Sequence, residues 1–343
     1  MTTESITPPP APATEPDPID EEPKSRRGLL ILIAVVVALL VILASVFLWY
    51  LRTGKPVTQL PVLGLPTPPA YSTSIYDIDQ PLSVAIDEGN DRLYTTQVGT
   101  DPSVLVFNSA GQGQGKLVAP NDKTKRHVPV YVAVDPATSD VYVSDRAASA
   151  VYVYDASGNY LRELKPVGVK SWSPLGLAFD KDGNVYVTDL TEPHQSVLKM
   201  KTDGTVITRM GEKDGLSFPN GVAVRDDGTI FVTDSNNGRV MAYKSDGTSA
   251  GALPRGKGET ALGLPRGEAF DDRGRLYVVD TVNNSVNVYK PSDNGLAEFS
   301  FSFGEEGQND GQFEFPNGIA TDSVGRVYVA DRQNNRVQVW SYR

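Results

Sequence analysis

The stretch PNGIATDSVGRVYVADRQNNRVQVW, residues 316–340, decides the fold. It reads as three short strands in succession. An apolar strand centred on Ala320 follows Pro316-Asn317-Gly318. A turn through Asp322 and Gly325 leads to VYVAD (327–331), and an Asn334-Asn335 turn leads to RVQVW (336–340). Runs of five or six residues rich in Val, Ile and Tyr and bounded by Gly, Asn and Asp are the signature of antiparallel hairpins.

The same module recurs upstream. The strand opening each unit is centred on Ala85, Ala133, Ala178, Ala223, Ala269 and Ala320, at spacings of 48, 45, 45, 46 and 51 residues. Each opening strand is followed by a second (VYVSD, VYVTD, IFVTD, LYVVD), a third, and a weaker fourth after a Gly-containing turn. Six four-stranded meanders at a period of about 45 residues make an all-β, six-bladed β-propeller. A β-sandwich predicts no such period. The small Ala at each centre suits the crowding near a propeller axis.

The sixth unit stops after its third strand, at VQVWSYR. The strand-like run Tyr71–Tyr76 precedes the first unit and belongs to no blade of its own. It is predicted to supply the missing outer strand of blade six, closing the ring and covering a sheet edge.

Ahead of the propeller (71–343) lie three other segments. Residues 1–28 are Pro-rich and acidic, too polar to bury a core, and read as a disordered cytoplasmic tail. Leu29–Leu51 runs 23 residues without a charge, about 35 Å as a helix, and is predicted to cross the membrane. Trp49 and Tyr50 stand where an aromatic belt would be. Lys24, Arg26 and Arg27 before it outnumber Arg52 and Lys55 after it, which puts the N-terminus in the cytoplasm. A cleaved signal peptide and a twin-arginine motif at Arg26-Arg27 are the competing readings. Residues 52–70 hold five Pro and form a stiff linker. The expected localisation is the cell membrane, single-pass, with the propeller outside the cytoplasm.

Composition excludes several functions. Without Cys there is no disulfide scaffold, zinc finger or thiol nucleophile. Two His cannot supply a three-imidazole metal site. Of the net charge of −10, residues beyond 59 carry −9, the wrong sign for a nucleic-acid binder.

The repeats resemble NHL repeats. Phe303-Gly304, Gly307, Gly311-Gln312-Phe313 and Pro316-Asn317-Gly318 match best, and Pro219-Asn220-Gly221 with VTDSNNGRV and Pro265-Arg266-Gly267 with VVDTVNNSV follow. The first three units are more degraded. The resemblance implies a six-bladed propeller. It leaves function open among membrane-tethered sensors, protein- or RNA-binding scaffolds and metal-dependent enzymes.

In such a meander the Pro-x-Gly segments and the loops after strand two share one face. That face carries Asn220, Arg266, Asn317, Arg146, Arg332 and His194, which are the ligand-binding candidates. Glu268 joins them because it stands in a column otherwise occupied by Val84, Val132, Leu177, Val222 and Ile319. A carboxylate there is a metal ligand, a general base, or half of an ion pair with Arg266. Asp145, Asp189, Asp234, Asp280 and Asp331, with Gln97 in the first unit, end strand two in every blade. A residue that recurs in all blades is expected to hold turns rather than ligand. Arg225 replaces an Asp present in the other five units and is expected on the solvated surface. Asp180-Lys181-Asp182-Gly183 and Asn283-Asn284-Ser285 read as turns, and the basic cluster Lys123, Lys125, Arg126 and His127 as a loop.

The expected function is a non-enzymatic binding or scaffold module. It is held in the membrane by Leu29–Leu51 and recognises a protein or envelope ligand on the Pro-x-Gly face. No catalytic residue, resident metal or nucleic-acid partner is assigned. The alternative is a metal-dependent hydrolase or lyase at the channel mouth, with a divalent cation in the channel.

Overall fold

A computed structural model of the chain describes residues 26–53, 67–120, 126–254, 261–292 and 296–342. The tail, most of the linker, and Lys123 and Lys125 lie outside these residues. The chain divides into two units, Met1–Leu65 and Pro66–Arg343.

In the first unit a helix spans Arg26–Thr53. Its stretch Leu30–Leu48 has a mean hydropathy of 3.4 and none of it is buried. It is long and apolar enough to be a membrane span or a signal peptide.

The second unit is a six-bladed β-propeller of four-stranded antiparallel sheets. The inner strands are Pro81–Asp87, Pro129–Val134, Pro174–Phe179, Pro219–Val224, Pro265–Phe270 and Pro316–Thr321. Blade six takes its outer strand from Ala70–Ile75, which pairs with Arg336–Ser341 from Ala70 opposite Ser341 to Ile75 opposite Val337. The ring closes as the repeat count requires, because an unpaired edge beside the first blade would leave a row of backbone groups unsatisfied.

Side chains on the two faces of each sheet pack against the adjacent blades. Val84 joins a cluster with Tyr328, Val337 and Ile75 of blade six, and Ala85 joins one with Val132, Val143 and Tyr152 of blade two. The core is thus a ring of six inter-blade layers. Close to the axis the blades meet backbone to backbone. A Cβ on Gly176 would fall 2.3 Å from the Asn220 carbonyl oxygen, and one on Gly318 would fall 2.5 Å from that of Leu82. Gly221 and Gly267 are placed the same way. Gly176→Ala is expected to lower stability by about 2 kcal/mol, since backbone must move. An unchanged thermal midpoint would show that the inner strands separate without cost.

The recurrent Asp residues hold the segment that enters each blade. Asp145, Asp189, Asp234, Asp280 and Asp331 accept hydrogen bonds from the backbone N–H of Val128, Ser173, Ser217, Leu264 and Glu314, at 2.7–3.0 Å. Gln97 does the same for Asp79 at 3.0 Å. This is the turn-holding role the recurrence implied, and it fixes the Pro-x-Gly segments against the second strands.

The Asp at the end of strand one works with a Tyr. Asp180, Asp271 and Asp322 each accept from the hydroxyl of Tyr186, Tyr277 or Tyr328. Blade four has Arg225 and Phe231 instead, and the guanidinium lies 5.7 Å from the ring centre. Arg225 is not a solvated surface residue. It is half-buried and paired to Asp227 at 2.6 Å, because the ring offers a face where the Tyr offered a hydroxyl.

Candidate functional site

One residue of each inner strand lines a cavity of about 290 Å³ at the axis: Leu82, Val130, Leu175, Asn220, Arg266 and Asn317. These are the same position in six repeats, immediately before the Ser83, Tyr131 and Gly column. Arg146 and Arg332 reach the cavity from the loops after strand two, and Phe218 and Tyr131 complete it. The inner strands thus line the mouth with apolar residues in blades one to three and polar ones in blades four to six, while the loop arginines come from blade two (Arg146) and blade six (Arg332).

The structure brings together Asn220, Arg266, Asn317, Arg146 and Arg332. Asn220 is 4% exposed and Asn317 8%. Neither amide has a hydrogen-bond partner among the described residues. Arg146 and Arg266 place their guanidinium carbons 5.5 and 5.2 Å from the Phe218 ring centre. Phe218 itself has φ of +56°, a left-handed conformation unusual for a bulky residue, and its N–H donates to Gln195 Oε1 at 2.6 Å. Arg332 donates to Gln80 Oε1 at 3.3 Å. The buried Nε atoms of Arg266 and Arg332 have no partner among the described residues. No carboxylate pairs with any of the three arginines among the described residues. Burial, then the neighbouring Arg332 and Arg146 charges, hold the Arg266 guanidinium below its ordinary pKa.

Glu268 and His194 are not part of the mouth. His194 is exposed on a turn. Glu268 is buried between blades four and five, 4% exposed. Its Oε1 accepts the Thr233 N–H at 3.1 Å, and its Oε2 has no partner among the described residues. The anticipated ion pair with Arg266 does not form. The strand register shifts between Pro265 and Glu268, and Arg266 lines the mouth while Glu268 faces blade four. Desolvation pushes the Glu268 carboxyl well above the usual carboxylate range.

Tyr131 and Phe218 were not anticipated. Tyr131 stands where four blades have Gly, and aligning that column would have marked it as a departure. Burial pushes its hydroxyl pKa up, and the nearby Glu268 adds to this. Phe218 precedes Pro219 in a segment without periodicity, so only the fold shows that it underlies two guanidiniums. Of the basic cluster, His127 turns inward to Asp145, with Nδ1 to Oδ2 at 2.9 Å.

The donor set does not fit a divalent cation. Among the described residues no group of three or more His, Asp or Glu could hold a metal ion. Three guanidiniums at the mouth would repel a cation.

Comparison with known proteins locates the chain in a family. Residues 176–303 match the SMP-30/gluconolactonase/LRE-like region, and residues 313–340 match the NHL repeat. NHL repeat-containing protein 3 of Homo sapiens is 29% identical over 213 residues, covering 57% of this chain and 59% of that protein. The chain thus spans less than two thirds of the curated relatives it matches. A gluconolactonase from Xanthomonas campestris superposes with a TM-score of 0.61 at 18% identity, over 84% of this chain and 98% of that one. A chain of a nidogen/laminin complex superposes with a TM-score of 0.53 at 19% identity, over 65% and 79%. At these identities the superpositions establish the fold alone. With its six repeats, its ring closure and these matches, the chain is an NHL-repeat six-bladed β-propeller.

Proposed function

We propose that this chain is a membrane-anchored binding module rather than an enzyme, with the axial mouth on the Pro-x-Gly face as its recognition site for a protein or envelope ligand. Leu29–Leu51 anchors it as a single span. The tail (1–28) lies in the cytoplasm, and the linker (52–70) holds the propeller (71–343) on the opposite side. The observation that carries this reading is the mouth itself. Three guanidiniums without a carboxylate partner and two buried amides without a hydrogen bond, among the described residues, converge there on a rigid frame suited to carrying a binding site.

The likeness to a gluconolactonase favours the second reading, a metal-dependent hydrolase or lyase. That reading would draw its acid or metal ligand from Glu268, which does not line the mouth. Cross-linking on intact cells distinguishes the two. Replacing Asn220, Arg266 and Asn317 together by Ala is expected to release the cross-linked partners while the protein still reaches the membrane. Partners retained by the triple variant would rule out this face.

A further inference from the structure

Three unneutralised positive charges share one small cavity. Arg266 and Arg332 are half-buried and Arg146 is exposed. Taking the first two guanidiniums partly out of water costs free energy, and placing the three beside each other adds to it. Phe218 offers its ring face to two of them, which offsets part of that cost but brings no negative charge. Asn220 and Asn317 are at least nine-tenths buried, and their amides line the same cavity unpartnered. Such a donor set is complete only with an acceptor from outside. Arg guanidinium and Asn N–H groups both donate, and oxygens of a charged acid group accept from both. Leu82, Val130 and Leu175, from the inner strands of blades one to three, form an apolar wall with no side-chain donors to satisfy.

We propose that the mouth binds a small organic dianion, its doubly charged oxygen headgroup on Arg146, Arg266 and Arg332 and its apolar body against Leu82, Val130 and Leu175. The proposal rests on the mouth being the recognition site. The dianion is favoured over a monoanion because three positive charges stand there with no carboxylate paired to them among the described residues. The apolar body follows from the half of the ring that inorganic phosphate would leave uncovered. The cavity of about 290 Å³ limits the bound part to a small group. A phosphate monoester and a dicarboxylate share this chemistry.

The test is isothermal titration calorimetry on the full chain in detergent, with phenyl phosphate and phenylsuccinate as probes. Inorganic phosphate and phenol serve as controls. At least one of the two probes is expected to bind saturably, at least tenfold more tightly than inorganic phosphate, with phenol showing no binding in the same range. Whichever probe binds more tightly identifies the headgroup. Its affinity should fall as salt rises. Arg266→Gln should weaken it at least tenfold without lowering the thermal midpoint, because the variant relieves like-charge repulsion. Leu82→Ser should narrow the preference for phenyl phosphate over inorganic phosphate, a readout that survives if Arg266→Gln fails to fold. Absence of saturable binding by both probes, or binding unchanged in folded Arg266→Gln, overturns the proposal. If mouth substitutions release a cross-linked partner but neither probe binds, the dianion inference fails and the binding-module reading stands. If the partners are also retained, both fail.

Discussion

The propeller is expected to lose stability as pH rises above about 4.5, and Glu268→Gln is expected to remove that loss. In the unfolded chain Glu268 titrates near its ordinary value of 4.5. In the folded chain burial holds it protonated well above that value, with only the Thr233 N–H bond acting the other way. Below pH 4.5 both states carry the proton and the stability is fully present. Above it the unfolded state ionises while the folded state cannot, so unfolding gains about 1.4 kcal/mol per pH unit until the folded pKa is passed. Gln keeps an acceptor for the Thr233 N–H and has no proton to lose. Leu would match the column better in polarity but would leave that N–H without its partner. Tyr289 and Tyr131 feel the Glu268 charge, and both are themselves pushed up by burial. Asp227, held down to about 2 chiefly by Arg225, acts in the opposite sense and only in acid. Urea unfolding from pH 5 to 8 on both proteins isolates the Glu268 contribution as their difference. Parallel profiles would mean that Glu268 ionises freely in the fold.

Removing residues 70–75 is expected to abolish cooperative unfolding of a closed ring. These residues supply the outer strand of blade six, and without them the edge of Arg336–Ser341 is bare. Ile75 is 5% exposed and packs with Val337 and Val339, and Tyr71 meets Trp340 edge-on at 6.2 Å. The single change Ile75→Ala should already cost about 3 kcal/mol, by lost burial and the cavity left behind. The full deletion also frees the strand edge for pairing between molecules. Light scattering and thermal unfolding of the full-length and deleted proteins read both effects. A deleted protein that stays monodisperse and melts at the parent temperature would show that the ring does not depend on this closure.

Much of this architecture is legible in the residues. The Ala period counts the blades, and the Asn-Asn and Asp-Gly turns divide the strands. The missing fourth strand of the last repeat points back to Tyr71–Tyr76. The Ala signal is local and repeated six times, so a degraded copy is corrected by the others. The recurrent Asp ring is legible for the same reason. Arg225 was harder to read. Its environment depends on Phe231, six residues away, and the pair makes sense only together.

The candidate site was half legible. Asn220, Arg266 and Asn317 stand out because blades four to six keep the Pro-x-Gly segment. Leu82 and Val130 occupy the same ring in repeats where the Gly of that segment is replaced, and Leu175 sits in an intact Pro174-Leu175-Gly176 but carries no polar group to mark it. Glu268 stands out in the sequence as a charge in an apolar column, yet its surroundings do not. The pairing with Arg266 is natural in a list of residues two apart, but the register shift between Pro265 and Glu268 sends the two to different places.

The sequence by itself determined the number of blades, the identity of the strands and the way the ring closes, because periodicity and turn chemistry are local and additive. Only the tertiary structure decided that six residues some 45 positions apart form one mouth, that its three arginines have no carboxylate partner among the described residues, and that Glu268 is buried away from it. Convergence at an axis is a property of the closed ring. Which charges are left unpaired depends on every blade at once.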